Sequence, residues 1–329
     1  MSNRGMTTSI VSAAAISMFI GIAMIPEPAF AQGALEAAAA KSPAAEDDAV
    51  GTMTAEEAAE LLANPFSNLW FGMVQNDTYW WDGDLTDALG EGNKVMNTTV
   101  VQPVMSLQWS KDWRLIFRPV IPIHSFDTLQ GFDIIEDEPD TPTLSGDFQR
   151  RTGLGDIVLW SAFSPQYEPP LVYGFGPTIM MNTASNDELG TGKWSAGPMA
   201  TVAHITDKWI VGAVAQHWWS FAGDTDRDAV NLTDFQPIIR YRLNKTTNIG
   251  MAPNIQYNWT ADSGERLRLP VGLGISTVTN FGELPVAVGV EAYYFVESPD
   301  TFGPEWGLRV FFTPVFPAPE WSKVPLFGG

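Results

Sequence analysis

No cysteine occurs among the 329 residues, which excludes thiolate catalysis, disulfide staples and cysteine–zinc sites. Basic residues are scarce: 18 Lys and Arg stand against 38 Asp and Glu, for a net charge of −20. Such a surface does not suit nucleic acid, whose phosphates need basic patches. The three histidines, His124, His204 and His217, are scattered and form no metal-ligand spacing, and no cofactor motif is present. Mean hydropathy is −0.02 and only one long apolar run exists, so a helical membrane bundle is excluded. What is plentiful is Trp (13), Phe (19), Gly (29) and Pro (24), the composition of many aromatic-rich strands joined by tight turns.

The single apolar run spans Ile10 to Ile25, follows Arg4 and precedes "PEPAFAQ". Ala29 and Ala31 give an A-x-A pattern, so residues 1–31 are predicted to be a signal peptide cut after Ala31. Cleavage removes Arg4 and Glu27 together, one charge of each sign, and the net charge stays at −20. Residues 32–66 are expected to be a periplasmic segment, Ala-rich at first and then helical over "TAEEAAELLANP". Thr54 is the N-cap, Glu57 stands at capping-box spacing and Pro65 stops the helix soon after Ala63. The ordinary expectation for so short a helix is a solvated stub; the alternative is a plug in a pore or a contact for a partner.

From Leu69 onward the hydrophobic period is two. Twelve strands are expected, at about 68–80, 95–109, 112–123, 153–164, 170–182, 193–205, 208–221, 230–243, 246–260, 265–278, 284–296 and 305–316. In "ERLRLPVGLGIS" (265–276), Arg266 and Arg268 oppose Leu267, Leu269, Val271, Leu273 and Ile275. Trp113, Leu115 and Phe117 likewise oppose Arg114 and Arg118. A soluble sandwich buries its apolar faces, whereas a membrane barrel wets its inside and greases its outside. Two features favour the barrel. "SK", "TD" and "NK" are tight turns, while the connections at 81–94, 124–152, 183–192, 222–229, 261–264 and 297–304 are longer, as in outer-membrane barrels. Trp113, Tyr241, Tyr257, Trp259, Trp306 and Phe316 also mark the ends of the apolar faces like interfacial girdles.

The predicted fold is therefore all-β: a twelve-stranded antiparallel transmembrane β-barrel over residues 67–317 in the cell outer membrane. A short N-terminal periplasmic helix precedes it and a C-terminal extension, 318–329, follows. The prolines at 103, 119, 198, 237, 253 and 314 fall inside strands and are expected at bulges or at positions that need no ladder donor.

Several strings resemble a known family: "TGLGDIVLWSAFSP" (152–165), "LGTGKWSAGP" (189–198), "HWWSFAGDTDRDAVNLTDFQPII" (217–239) and "EWGLRVFF" (305–312). They are similar to outer-membrane transporters grouped under the meta-pathway of phenol degradation, over about residues 55–317. The resemblance implies a barrel associated with aromatic-compound catabolism and brings no site residues with it. One departure is that similar sequences tend to end at the last strand with a terminal aromatic, whereas this chain continues as "PAPEWSKVPLFGG".

The barrel phase directs Arg114, Arg118, Arg240, Arg242, Arg266, Arg268 and Arg309 inward, with Asp156, Asp234, Glu291 and Glu305. Arginine facing lipid at mid-depth costs about 2–4 kcal/mol, so the inward phase is the allowed one. Guanidinium groups pair with carboxylates and stack on π faces. These residues, Asp156 apart, are therefore the candidate substrate-binding lining, for passive uptake of small hydrophobic or aromatic, including anionic, compounds. The alternative is a structural or surface-binding barrel whose lumen is closed by salt bridges among the same groups. A more remote alternative, a lipid-modifying enzyme, would use His217 and Ser220, which three-residue spacing puts on opposite strand faces. Acidic loops at 82–87, 133–139, 185–188 and 223–228 offer oxygen ligands for divalent cations, but none has EF-hand spacing. The expected partners are outer-membrane lipid, a small-molecule solute and the barrel-assembly machinery.

N-terminal sequencing of the membrane-extracted protein is expected to begin at Gln32. A chain that retains Arg4 would contradict the cleavage site.

Overall fold

A sheet in hydrocarbon must pair every backbone group within itself, and only closure removes the last two edges. In the computed structural model, which describes residues 53–63, 69–135, 143–166 and 170–327, the first strand pairs with the last. After helix α1 (Ala55–Ala63) come β1 (Leu69–Asp82), a short helix α2 (Asp84–Leu89), β2 (Lys94–Gln108) and β3 (Trp113–Ile135). These are followed by β4 (Thr143–Leu154), β5 (Ile157–Pro165), β6 (Leu171–Met181), β7 (Lys193–Ile205), β8 (Trp209–Gly223) and β9 (Asn231–Arg242). Then come β10 (Thr247–Met251), β11 (Ile255–Asn258), β12 (Leu267–Phe281), β13 (Leu284–Glu297) and β14 (Gly303–Pro317). All pairings are antiparallel between neighbours, and β1–β14 closes the ring. β4 and β5 both pair with β3, and β10 and β11 both lie between β9 and β12. Each of these two couples is one interrupted strand, so the fourteen segments make twelve strands.

Two strand expectations change. Residues 124–135 and 143–152, expected within a loop, are strand: β3 runs on to Ile135 and pairs with β4, which extends the wall on the long-loop side. The strand expected over 246–260 breaks at 252–254, around Pro253.

Six of the prolines within the wall form three facing couples. Pro177 is directly opposite Pro198. The pairs Val101–Ile121 and Met105–Phe117 set Pro103 opposite Pro119, and Met251–Ile239 with Ile255–Phe235 set Pro237 opposite Pro253. Facing prolines concentrate two missing donors in one rung instead of breaking two rungs. Of the prolines expected at bulges or at positions that need no donor, those at 103, 119, 198, 237 and 253 thus face another proline, and Pro314 is opposite Val286 on β13.

Burial alternates along the strands. On β12, Val271, Leu273 and Ile275 point outward at 48, 60 and 45 % exposure, while Gly274, Ser276 and Val278 are buried. Trp259, Trp306 and Phe316 lie on the same outer surface. The inward face is buried too, so the barrel is filled. Trp160, Trp218, Met73, Ile116 and Met180 all pack inside with almost no exposure.

Helix α1 is part of that filling and is not a solvated stub. Its capping box forms as the sequence indicates: Glu57 N–H donates to Thr54 Oγ1 at 3.2 Å and Thr54 N–H to Glu57 Oε2 at 2.8 Å. Ala58, Ala59, Leu62 and Ala63, on one face of the helix, are 0–1 % exposed and join the interior apolar cluster. Small residues on that face let the helix fit within the ring against β12 and β13. Lys245, in the β9–β10 turn, pairs with Glu56 at 2.7 Å, and Asn280 donates to Met53 O at 3.4 Å, which places the helix at the short-turn end.

The lack of cysteine makes single-cysteine labelling clean. In bilayers, Leu273→Cys and Ile275→Cys are expected to resist a charged maleimide and to react only after unfolding. Rapid reaction of both in the membrane would contradict an outward apolar belt.

Candidate lumen site

Strand register brings charge together inside the barrel. Asp77 on β1 is directly opposite Arg309 on β14, and Arg309 is opposite Glu291 on β13. The row continues through Gly274 on β12 and Gly250 on β10 to Arg240 on β9. The two glycines open the lane: a Cβ on Gly274 would stand 2.1 Å from Glu291 Cγ, and one on Gly250 would stand 3.0 Å from Arg240 Cγ. Across them the Arg240 guanidinium donates to Glu291 Oε1. Arg309 Nε donates to Asp77 Oδ1 at 2.6 Å, and its Nη1 donates to the Tyr293 hydroxyl at 3.1 Å. Tyr293 in turn donates to Glu291 Oε2, and Gln75 donates to Asp77 Oδ2.

The strand break at Pro253 contributes to the same site. With the ladder interrupted, the Ala252 carbonyl accepts from Gln236 Nε2 at 3.0 Å and from Arg309 Nη1 at 3.5 Å. Asp234 accepts from Asn254 at 3.1 Å and from Gln256 at 3.3 Å. At the other side of Asp77, Thr98 and His124 share a hydrogen bond at 2.9 Å. The network is fully desolvated: Asp77, Arg240, Glu291 and Arg309 are 0–2 % exposed.

The remaining candidates divide. Arg118 is buried, donates to Gln102 and lies 5.5 Å from the centre of the Trp160 ring. Arg114 and Arg242 are buried towards the short-turn end, Arg242 within electrostatic reach of Asp207 and of Glu60 on α1. Arg268 is half-buried over the Trp81 ring at 5.0 Å. Two candidates do not join the interior. Arg266 is exposed and donates to Ala261 O at 2.7 Å in the rim loop. Glu305 is exposed because the register shifts between Trp80 and Trp81, so that Trp306 and Pro304 are paired and Glu305 is the extra residue. Asp156 is buried but pairs with no arginine among the described residues. Its carboxylate instead accepts from the backbones of Thr183, Ala184 and Thr191 and from the Thr191 hydroxyl, pinning the β6–β7 loop.

Sequence reading misses Asp77 and Tyr293, which complete the row. On β1 the inward parity is Phe71, Met73, Gln75, Asp77, Tyr79 and Trp81, apolar enough to erase the contrast with the outer face. The signal that remains is register, which sets Asp77 and Glu291 on either side of Arg309. Above the row, towards the long-loop end, Tyr79, Trp81, Met96, Phe126, Tyr293, Phe295 and Phe302 form a second buried cluster, with Leu85 of α2 and Leu189 packed onto it. His217 faces outward, bonded to Thr233 at 2.7 Å, while the Ser220 hydroxyl accepts from Val230 N–H at 3.0 Å, so the two are committed to different partners.

Outside the spanning strands, two titrating groups hold α1. The hydrogen bonds from Thr54 keep the Glu57 carboxyl below its ordinary value, and the Glu56 carboxylate raises the Lys245 ammonium above its own. A lowered carboxyl stabilises above its ordinary pKa and loses that contribution as pH falls through the lowered value. A raised ammonium stabilises below its ordinary pKa and loses that contribution as pH rises through the raised value. Both contributions are therefore present at neutral pH.

No family model matches the chain, and no curated protein matches it. Among solved structures, the fold is similar to an outer-membrane channel from Pseudomonas putida F1, with a TM-score of 0.53 at 15 % identity over 76 % of this chain and 96 % of that one. A Pseudomonas aeruginosa FadL homologue aligns at a TM-score of 0.39 and 10 % identity, over 77 % of this chain and 91 % of that one. The first likeness shows the outer-membrane barrel fold.

Breaking a buried pair strands a charge, at a cost of about 3–5 kcal/mol. Arg309→Met is expected to lower stability by that order in urea unfolding, and Asp77→Asn in the same chain to recover most of it. A single variant as stable as the parent would contradict the pairing.

Proposed function

We propose that the chain is an outer-membrane channel for passive uptake of small hydrophobic or aromatic compounds, aromatic carboxylates among them, whose resting state is closed. The observation that carries this reading is the meeting of aromatic faces and guanidinium groups inside the ring. Tyr293 bonds both Arg309 and Glu291, Arg118 lies over Trp160, and Arg268 lies over Trp81 where the outer aromatic cluster begins. Planar π faces and carboxylates are what guanidinium groups recognise. A barrel that only needed filling is served at lower cost by apolar side chains, because desolvating ions offsets their attraction. The resemblance of the strings at 152–165 and 217–239 to the phenol-degradation family points to the same class of solute.

Closure has two parts in this reading. α1 occupies the short-turn end, and the ion row ties β1, β14, β13 and β9 across the middle. Solute passage requires α1 to leave and the row to exchange internal partners for solute or water. The reading is non-enzymatic.

A second reading rests on the same closure: a structural or surface-binding barrel whose lumen stays sealed by α1 and its salt bridges. Planar-bilayer conductance and benzoate flux into liposomes separate the two. The parent protein is expected to conduct weakly and a variant lacking residues 53–63 strongly. If both match empty bilayers, and a deletion strain grows normally on aromatic acids, the channel reading fails and the sealed barrel stands.

A further inference from the structure

Residues 318–327 do not trail from the barrel. After β14 the chain turns through a short 3-10 segment, Glu320–Lys323, and crosses the outside of β1 to reach the end of β2. Trp321 packs edge-on against outward-facing Trp70 of β1, with ring centres 5.4 Å apart. The backbone then pairs beyond the seam: Leu326 N–H donates to Gln108 O and Phe327 N–H to Trp109 O, both at 3.0 Å. Phe327 lies on Trp109 at 4.6 Å, and Trp109 lies on Phe163 of β5 at 5.1 Å. Ala318 and Ser322 are buried against the wall. The segment still leaves a large apolar surface open, with Trp321, Val324, Leu326 and Phe327 at 62, 62, 54 and 58 % exposure. Its two charges, Glu320 and Lys323, pair with each other at 2.5 Å and leave it neutral.

We propose that residues 318–327 form an interfacial lipid anchor, seated in the membrane leaflet on the short-turn side, that also straps the closing seam between β1 and β14. The proposal rests on the reading of the outer face as lipid-facing, and three observations carry it. The exposed side chains adjoin the outer apolar face through Trp70, Trp109, Phe163 and outward-facing Phe316. The segment lies at the rim, the depth at which amphipathic aromatic rings collect in membrane proteins. Its two charged residues, Glu320 and Lys323, pair with each other at headgroup level, whereas four large apolar side chains in water form the kind of patch that marks a binding face. The occupant that fits is phospholipid: acyl chains against Val324, Leu326 and Phe327, and headgroups level with the Glu320–Lys323 pair.

The test uses the full chain, reconstituted in phosphatidylethanolamine–phosphatidylglycerol vesicles, with Val324→Cys or Leu326→Cys carrying an environment-sensitive fluorophore. Doxyl-labelled lipid is expected to quench either label as strongly as one at Leu273→Cys in the belt, while iodide quenches a label at Asp226→Cys instead. Trp321→Ser with Phe327→Ser is expected to shift the Val324 label from lipid quenching to iodide quenching while the barrel keeps its heat-modifiable mobility. Iodide quenching equal to that at Asp226→Cys in the otherwise unchanged protein overturns the proposal. So does a label shielded from both quenchers by contact with a second copy, seen as cysteine cross-linked dimers. Loss of lipid quenching at Leu273→Cys as well would overturn the belt itself, which separates that failure from failure of the anchor.

Discussion

Hydrocarbon leaves a backbone no partner but another part of the same backbone, and the rest of this molecule follows from that constraint. It forces β1 onto β14, and closure in turn creates an inside that has to be occupied. At twelve strands the ring is wide enough for whole aromatic side chains and one thin helix, and both are used. α1 fits because its buried face is three alanines and one leucine, so it adds length without width. The prolines obey the same rule. Paired across neighbouring strands, they confine lost donors to a few rungs, and at Pro253 a freed carbonyl next to the break turns inward and binds Arg309.

Charge inside a closed ring has to balance locally, because no water screens it. Register achieves this: Asp77, Arg309 and Glu291 alternate in sign on adjacent strands, and Arg240 reaches the last of them over two glycines. A strongly acidic protein thus keeps several of its few basic groups where each has a defined acceptor. The arrangement positions its members firmly and is costly to disrupt singly, which suits the closed resting state proposed above.

Much of this was legible in the sequence because membrane sidedness writes a simple code. The alternation from Arg268 through Ile275, the short turns and the Thr54–Glu57 cap each state a local rule that the fold obeys, although Arg266 lies just outside the strand. The failures have a common cause, since each depends on a distant partner. Period two cannot show that β3 and β4 continue pairing past the rim, because a long polar hairpin reads as a loop. It also cannot show the one-residue shift that expels Glu305, as a bulge is set by the neighbouring strand. Asp77 was hidden because its own strand mixes polar and apolar residues on both faces, and the fate of α1 because an alanine face reads equally well as solvated or buried.

The sidedness of the charged row is most directly measured by solid-state NMR of the protein in bilayers, with labelled arginine side chains. The guanidinium nitrogens of Arg240 and Arg309 are expected to show contacts to the Glu291 and Asp77 carboxyl carbons and no magnetisation transfer from acyl-chain protons. Transfer from lipid to those nitrogens, without the carboxyl contacts, would contradict a barrel that holds its ions inside.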